Sequence, residues 1–337
     1  MTSLTQSFFS AWVASLMRLL RLMGLMGLMG VVGLVVPAHS QNLPEGVVRL
    51  LVPTTPGSTP DLLARTIAPK LSERLGRPVV VENRVGASGN IGTEAVVRAA
   101  PNGSTLLVHA SSLATNAPLA KHLPFDATKD LAPVTLMGWS RLVFVTHPGS
   151  GITNTGELLS RLRKMPGKLT YNSPGNGTPN HLAVELFKVK TNTFMMHIPY
   201  RGSAQQLTDI VGGQVDMAPL TAIAAAPHVR TGKLVALAIT GDQRSPILPN
   251  VPSLAEAGVQ GVDGNIWYGM FAPKGTPAEL ILRLNREVRE ILKEEEKSLT
   301  AQGFEVEVST PDEIHQRLVR DTVRWTELVR LQKIQAD

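Results

Sequence analysis

The chain has 337 residues, a net charge of +6 and no cysteine. At about 100–200 residues per domain, this length predicts two domains or one large one. Hydrophobic residues make up 43% and charged residues 18%, which is typical of a folded chain and not of a disordered one. Only 4% of residues are aromatic, and the basic residues are scattered, so a nucleic-acid surface is not expected. The lack of cysteine excludes disulfides, thiolate chemistry and a lipoprotein anchor.

The first forty residues have the pattern of a secretory signal peptide. Arg18 and Arg21 precede the uncharged stretch 22–36, and small residues occupy the −3 and −1 positions of a cut after Ser40. The apolar stretch is shorter than the roughly 20 residues that span a bilayer. We therefore expect export, cleavage after about Ser40 and a periplasmic mature protein. Met17 begins a signal peptide of the same form and is an alternative start of translation.

The next part of the chain alternates strands and helices. Thr59 is the expected N-cap of the first helix, with Pro60 at its first position and Asp61 in its first turn. This alternation predicts βαβ units and a parallel sheet covered by helices. The pattern predicts strands over 47–52, 78–81 and 105–109 and helices over 59–75 and 91–100.

A second βα series follows without a flexible linker. We expect two domains that share the chain through two crossovers, near 138–141 and 264–268. The predicted strands are 134–137, 142–146, 169–172, 195–199, 215–217, 234–240, 267–271 and 304–308, and the predicted helices are 155–164, 179–188, 203–211, 277–297 and 311–331.

Signatures of catalysis are missing from the sequence. No G-x-S-x-G, P-loop, H-E-x-x-H or G-x-G-x-x-G motif occurs. The histidines have no metal-ligand spacing, and no pair of nucleophile and base can be argued from spacing. Asp216 follows two glycines and is interpreted as a structural turn residue. The sequence therefore predicts no catalytic residue, no metal and no cofactor.

Four polar, glycine-rich turns follow predicted strands, at 54–59, 86–90, 111–116 and 173–178. Ligands of open α/β sheets bind outside the carboxyl ends of strands. Helices that start there offer unpaired N–H groups and a partial positive charge to a carboxylate. Ordinary turn chemistry explains any one of these loops. Two such loops in two domains of an exported chain without catalytic motifs favour a binding function.

Several motifs occur along the chain in a specific order. They include Val52-Pro53-x-x-Pro56-Gly57, residues 77–84, Gly175-Asn176-Gly177-Thr178, Pro199-Tyr200-Arg201-Gly202 and residues 272–277. Together they resemble the Bug family, the extracytoplasmic solute receptors of tripartite tricarboxylate transporters, from about Val47 to the C-terminus.

The resemblance implies an α/β fold of the periplasmic binding protein type (type II, Venus flytrap), with two doubly wound domains joined by two crossovers. The implied divisions are a signal peptide at 1–40, domain 1 at 41–139 plus 268–337, and domain 2 at 140–267.

The resemblance also implies a ligand and partners. The ligand is expected to be a small organic acid or an amino-acid-like compound. The expected partners are two membrane permease subunits of the transporter, and the receptor is expected to be a monomer. Tyr200 and Trp267 are expected cleft walls, with core packing as the alternative for both. Ser58 and Pro60 stand where the family favours glycine and threonine. The implied ligand-binding residues are Thr54, Thr55, Gly57, Ser58, Thr59, Asp61, Ser111, Ser112, Ser173, Gly175, Asn176, Gly177, Thr178, Tyr200 and Trp267.

Three other functions stay open at this point. A sensor subunit would pass ligand occupancy to a membrane kinase without transport. An enzyme on the same scaffold would need a pair of nucleophile and base that the spacing does not show. A transcription-factor effector domain shares the general fold, but the signal peptide and the lack of a helix-turn-helix segment argue against it.

Overall fold

The computed structural model describes residues 46–119, 122–332 and 334, so the expected signal peptide and the alternative start lie outside the described residues. Eleven strands are described in this part of the chain: β1 (Val48–Val52), β2 (Val79–Asn83), β3 (Thr105–Ala110), β4 (Leu131–Ser140), β5 (Leu142–Thr146), β6 (Thr170–Ser173), β7 (Met196–Pro199), β8 (Met217–Thr221), β9 (Val235–Ile239), β10 (Ile266–Pro273) and β11 (Phe304–Val306).

Ten α-helices are described over the same ranges: α1 (Thr59–Leu75), α2 (Asn90–Val97), α3 (Ser112–Thr115), α4 (Ala127–Asp130), α5 (Thr155–Lys164), α6 (Pro179–Thr191), α7 (Ser203–Val211), α8 (Ala222–Arg230), α9 (Ala278–Ala301) and α10 (Pro311–Gln332). The sequence patterns located seven of these ten helices and missed α8 and the four-residue helices α3 and α4. Helix α8 was missed, because its short alanine-rich segment contains Pro227, which predicts a break.

The strands form two sheets. The six-stranded sheet has the order β11-β4-β10-β3-β1-β2, and the five-stranded sheet has the order β7-β6-β8-β5-β9. We call the first sheet with its helices α1–α4, α9 and α10 the first lobe, and the second sheet with α5–α8 the second lobe. Both lobes belong to one compact unit, residues 43–337.

Each sheet has helices on both faces. In the first lobe, one face packs on α1 and α9 through residues such as Ile67 and Val288, and the other packs on α10 through Trp325. In the second lobe, Phe187 of α6 and Ile210 of α7 lie on opposite faces. These four apolar layers bear out the doubly wound α/β fold that the resemblance implied.

The sheets are mixed, and the expectation of parallel sheets was only partly right. Strands β2, β1 and β3 are parallel, as are β7, β6 and β8. Strands β4 and β10 bring antiparallel pairs to the first sheet, and β5 does so in the second. Strand β4 leaves the first sheet through Arg141 and β10 returns to that sheet from the second lobe, so these two neighbours run in opposite directions.

The chain passes between the two sheets twice. The first passage is Arg141 alone, and the second lies between the end of β9 and the start of β10. The Arg141 guanidinium bonds both carboxylate oxygens of Glu305 and the side-chain oxygen of Gln243. The division into two domains at 139/140 and 267/268 stays a prediction.

Helix α1 begins one residue earlier than its sequence signals suggested. Its N-cap is Ser58, not Thr59, and Thr59 is its first helical residue. The Ser58 hydroxyl bonds the Thr54 hydroxyl, with an Oγ–Oγ1 distance of 2.6 Å, and does not cap the helix. Pro60 therefore occupies the second helical position, where it removes one of the N–H groups that point out of the helix end.

Candidate functional site

A cavity of about 1210 Å³ lies between the two lobes. Its walls are the segments that follow β1, β2 and β3 in the first lobe and β6, β7 and β8 in the second. These are the parallel strands of the two sheets, so the cavity occupies the carboxyl ends where α/β sheets bind ligands.

Most of the site residues expected from the sequence line this cavity. Five do not: Asp61, Ser111, Ser173, Gly177 and Trp267. The ten that do are Thr54, Thr55, Gly57, Ser58, Thr59, Ser112, Gly175, Asn176, Thr178 and Tyr200.

Asp61 lies beneath the first-lobe loop, with 2% of the residue exposed. Its carboxylate accepts hydrogen bonds from the Gly57 amide at 2.8 Å, the Asn83 amide group at 2.9 Å and the Arg65 guanidinium at 3.0 Å. Burial alone would raise the pKa of Asp61, but the hydrogen bonds from Arg65, Gly57 and Asn83 outweigh it and lower the pKa. Asp61 thus holds the loop, and its carboxylate does not face the cavity.

Trp267 is in the core, and the expectation that it forms a cleft wall is corrected. Side chains alternate along β10, and Trp267 points toward α10, where its Nε1 donates to Asp321 at 2.6 Å. Its neighbour Tyr268 points to the opposite face and lines the cavity. Burial raises the pKa of the Tyr268 phenol, so this side chain stays protonated and can donate a hydrogen bond.

The second-lobe loop, 173–178, is held by its own hydrogen bonds. The Ser173 hydroxyl donates to the Gly175 carbonyl at 3.0 Å and accepts from the Gly175 amide at 3.2 Å. The Thr178 hydroxyl donates to the same carbonyl at 2.8 Å and accepts from the His181 amide, which caps α6. The Gly177 amide donates to His181 Nδ1 at 3.1 Å. Ser173 and Gly177 are therefore structural parts of the loop.

Ser111 and Ser112, which follow β3, have different environments. The Ser111 amide donates to the Trp267 carbonyl at 2.8 Å, which holds Ser111 against the sheet, whereas Ser112 reaches the cavity. One helical turn later, the Thr115 hydroxyl donates to the Gly177 carbonyl of the other lobe. The two lobes therefore contact each other directly beside the cavity.

Helix N-termini converge on the cavity from both lobes. The N-cap residues of five helices line it: Ser58, Gly89, Thr178, Gly202 and Thr221. Within the described ranges, α1, α2 and α7 have no side-chain cap. The first-turn amides of α1 and α7 remain available, whereas the Asn90 amide of α2 donates to the Ala87 carbonyl. For α7, no hydrogen bond in the described chain reaches the amides of Ser203, Ala204 and Gln205.

Sequence reasoning did not select the starts of α2 and α7 as site residues. The signal for α2 was the glycine-rich turn at 86–90, and the signal for α7 was Gly202 before a helical pattern. Gly89 shows why glycine is needed there. Its φ is +96°, and a Cβ on it would lie 2.8 Å from Cε1 of the buried His109.

The charges around the cavity favour an anion. Its charged lining residues are Arg201 and Glu94, with His122 as a third titratable group. Glu94 is paired with Arg98 at 2.6 Å, whereas Arg201 makes no ion pair within the described part of the chain. The uncompensated charge at the cavity is therefore positive, in addition to the partial charges of the helix ends.

Among the described residues, Ser173 and His197 form a contact between a serine and a histidine that sequence spacing did not reveal. The Ser173 hydroxyl lies 2.7 Å from His197 Nε2. Ser173 is 0% exposed and also bonds the Gly175 backbone, so its hydroxyl does not reach the cavity. Asp216 accepts from the amide and hydroxyl of Thr170, in the structural role expected for it.

Two features are absent from the described residues. No group of three or more histidines and carboxylates lies close enough there to bind a metal ion. Among the helices of residues 46–119 and 122–332, none combines the length and the apolarity that crossing a membrane needs.

Known proteins are similar to this chain in fold and in sequence. Residues 63–334 match the model of the tripartite tricarboxylate transporter family receptor. BugT of Bordetella pertussis is 34% identical over 301 residues, which are 88% of this chain and 92% of BugT. The structure of R. palustris Rpa4515 with adipate is 31% identical, with a TM-score of 0.82, over 87% of this chain and 99% of that one. MatC from Rhodopseudomonas palustris with bound malate is 28% identical, with a TM-score of 0.78, over 85% and 99%.

These matches cover nearly all of the chain that follows the expected signal peptide, and they confirm the family that its motifs indicated. The chain therefore belongs to the tripartite tricarboxylate transporter receptors, the Bug-type solute receptors of the periplasm.

Proposed function

We propose that this receptor binds a small carboxylate in the cavity between its lobes and delivers it, as a monomer and without turnover, to two permease subunits of a tripartite tricarboxylate transporter. One observation carries the proposal: uncapped helix N-termini from both lobes, together with the unpaired Arg201, face one cavity. Backbone amides bind an anion through hydrogen bonds alone. This binding needs neither a deprotonation step nor a reactive side chain, so it is reversible.

Both lobes supply donors in this proposal. In the first lobe, Ser58 and Thr59 hold one end of the ligand, and Pro60 leaves α1 only the Thr59 and Asp61 amides as first-turn donors. In the second lobe, Asn176 and Thr178 belong to the binding loop. We add Arg201, the α7 amides and Tyr268 to the contacts expected from the sequence, with Thr54, Thr55, Gly57, Ser112, Gly175 and Tyr200 as further lining residues.

The ligand class follows from the relatives and from the hydrogen-bond donors that line the cavity. Two proteins of the same fold hold adipate and malate in their structures. Both ligands are dicarboxylates, and a cavity with amide donors on two opposing walls can hold a carboxylate at each end. We therefore propose a dicarboxylate of about the length of malate or adipate as the first ligand to test.

Mass spectrometry of the ligand released from natively purified protein, followed by calorimetry with adipate and malate, tests the function. We expect a carboxylate in the released fraction and binding without consumption of the ligand. A neutral diamide of the same length serves as the control and should bind far more weakly. Product formation would establish an enzyme, and equal affinity for the diamide would contradict recognition of an anion.

Replacing Arg201 with glutamine should weaken binding of the dicarboxylate about tenfold, because a charge-assisted contact at the cavity contributes about 1.5 kcal/mol or more. Titration calorimetry measures the change. Arg163 on α5 does not line the cavity, and Arg163→Gln makes the same change in net charge. An equal loss in both variants would show that only long-range charge matters.

The mature chain in this proposal begins at Gln41. Sequencing the N-terminus of protein recovered from the periplasm should give Gln41 first, because the small residues at −3 and −1 fit a signal peptidase cut after Ser40. Recovery of protein that still begins at Met1 or Met17 would contradict cleavage.

A further inference from the structure

The second-lobe loop, 173–178, lies against a pair of stacked imidazoles, of which one is buried and one half-buried. His181, on the first turn of α6, and His197, on β7, have ring centroids 4.0 Å apart and planes 8° from parallel. The ring of Tyr171 on β6 lies 4.8 Å from that of His197 and 6.4 Å from that of His181. His181 is 4% exposed, and neither histidine lines the cavity. The pair therefore acts on a ligand only through what it holds.

Each imidazole bonds a different part of the loop. His181 Nδ1 accepts the Gly177 amide at 3.1 Å, and His197 Nε2 lies 2.7 Å from the Ser173 hydroxyl. That hydroxyl in turn accepts the Gly175 amide. Two amides of the loop, those of Gly175 and Gly177, thus have their direction set by the histidine pair and are not available to the ligand.

The acceptor role of His181 requires a neutral ring with its proton on Nε2. Glu185 faces that nitrogen at 3.8 Å, and its carboxylate is shared with Lys188, at 2.7 and 2.9 Å, and with the Tyr171 hydroxyl. Burial, with the charge of Lys188 as a second cause, lowers the pKa of His181 to about 4. The ring is therefore neutral at neutral pH, and Nδ1 can accept the Gly177 amide.

The Gly177 peptide is bonded on both sides. Its amide bonds His181 within the second lobe, and its carbonyl accepts the Thr115 hydroxyl from the first lobe. Its φ is +73°, and a Cβ on it would meet Leu119 at 2.3 Å, so this position requires glycine. Gly177 is therefore held by a hydrogen bond from each lobe.

We propose that His181 and His197 are positioning residues: they fix the loop 173–178 in the conformation that contacts the ligand and the first lobe. The link to the ligand rests on the proposed function, whereas the link to the loop does not. His181→Phe keeps an aromatic ring on His197 and removes the acceptor. His181→Asn places a carbonyl oxygen near the position of Nδ1 and should restore the acceptor for the Gly177 amide.

Amide hydrogen exchange and calorimetry on the full chain test this assignment. In His181→Phe we expect the Gly177 amide to exchange at least about tenfold faster and the affinity for adipate or malate to fall about tenfold, with a small loss of Tm because the buried Gly177 amide loses its acceptor. His181→Asn should recover most of both losses. Unchanged exchange and affinity in His181→Phe would overturn the proposal, as would an asparagine variant as impaired as the phenylalanine one.

Ser173→Ala provides a second test that removes one buried oxygen and little volume. It breaks the bond between His197 and the loop, and we expect faster exchange of the Gly175 amide and weaker binding. Normal exchange at Gly175 would overturn the role of His197. If neither adipate nor malate binds the unmodified protein, the proposed ligand class fails, and the exchange data still decide whether the histidines position the loop.

Discussion

Asp61→Ala should lower the free energy of unfolding by about 3 kcal/mol and weaken dicarboxylate binding more than tenfold. The substitution removes the acceptor of the Gly57 and Asn83 donors, and each buried donor without a partner costs about 1–3 kcal/mol. The Arg65 contact adds little, because that side chain is half exposed. Chemical denaturation and calorimetry measure the two effects.

Glu279 offers a matched control. It is also an acidic residue in the first turn of a helix, α9, but it is exposed and makes no hydrogen bond within the described chain. Glu279→Ala should change stability by less than about 1 kcal/mol, in line with the usual size of a charge effect at a helix N-terminus. Equal losses in both variants would mean that Asp61 contributes only its charge, and not the position of the loop 54–59.

Lowering the pH from about 7.5 to about 5 should reduce the free energy of unfolding by about 4 kcal/mol. Burial lowers the pKa of His109 to about 3, and burial, with Lys188, lowers that of His181 to about 4. In the unfolded chain both groups titrate near 6.5, so the unfolded state binds more protons below that pH. Each histidine therefore lowers the free energy of unfolding by about 2 kcal/mol at pH 5.

The pH window identifies the groups responsible. Stability contributed by the neutral histidines is present above about pH 6.5 and is lost as the pH falls toward 4. Asp61, whose pKa is lowered, affects stability only below about pH 4. Asp321, whose pKa burial raises, acts in the opposite direction. A flat stability profile between pH 7.5 and 5 would contradict the assignment.

Variants separate the two histidines. His109 is 0% exposed, and neither ring nitrogen has a hydrogen-bond partner within the described chain. His109→Leu should therefore remove about half of the acid sensitivity without a large loss at neutral pH. His181→Asn should remove the other half. His315→Gln, at a partly exposed histidine, is the matched control substitution.

The repeating patterns of the sequence predicted local structure well. Alternating apolar runs and caps located the strands and seven of the ten described helices, and the glycine-rich turns located the loops around the cavity. The predicted parallel pairing was only partly right, because β4 and β10 have the same apolar composition whether their neighbours are parallel or antiparallel. The missed helix α8 shows the same limit, since Pro227 is tolerated where tertiary packing supports the helix.

Site residues could be predicted to within one position but not in orientation. Trp267 and Tyr268 are adjacent, and only the register of β10 decides which ring faces the cavity. Gly177 belongs to the predicted loop, yet its amide is bonded by a histidine four residues later. The stacking of His181 on His197 joins residues on different elements, and sequence spacing contains no signal for such a contact.

The single-residue passage at Arg141 limits how this protein can change in length. Because side chains alternate along a strand, one residue inserted or deleted between β4 and β5 would turn every side chain of β5 to the opposite face of its sheet. Buried apolar residues lie on both faces of β5, so such a change would exchange two packed surfaces at once. We expect insertions and deletions to be tolerated in the long return passage, 240–265, and to be eliminated by selection at position 141.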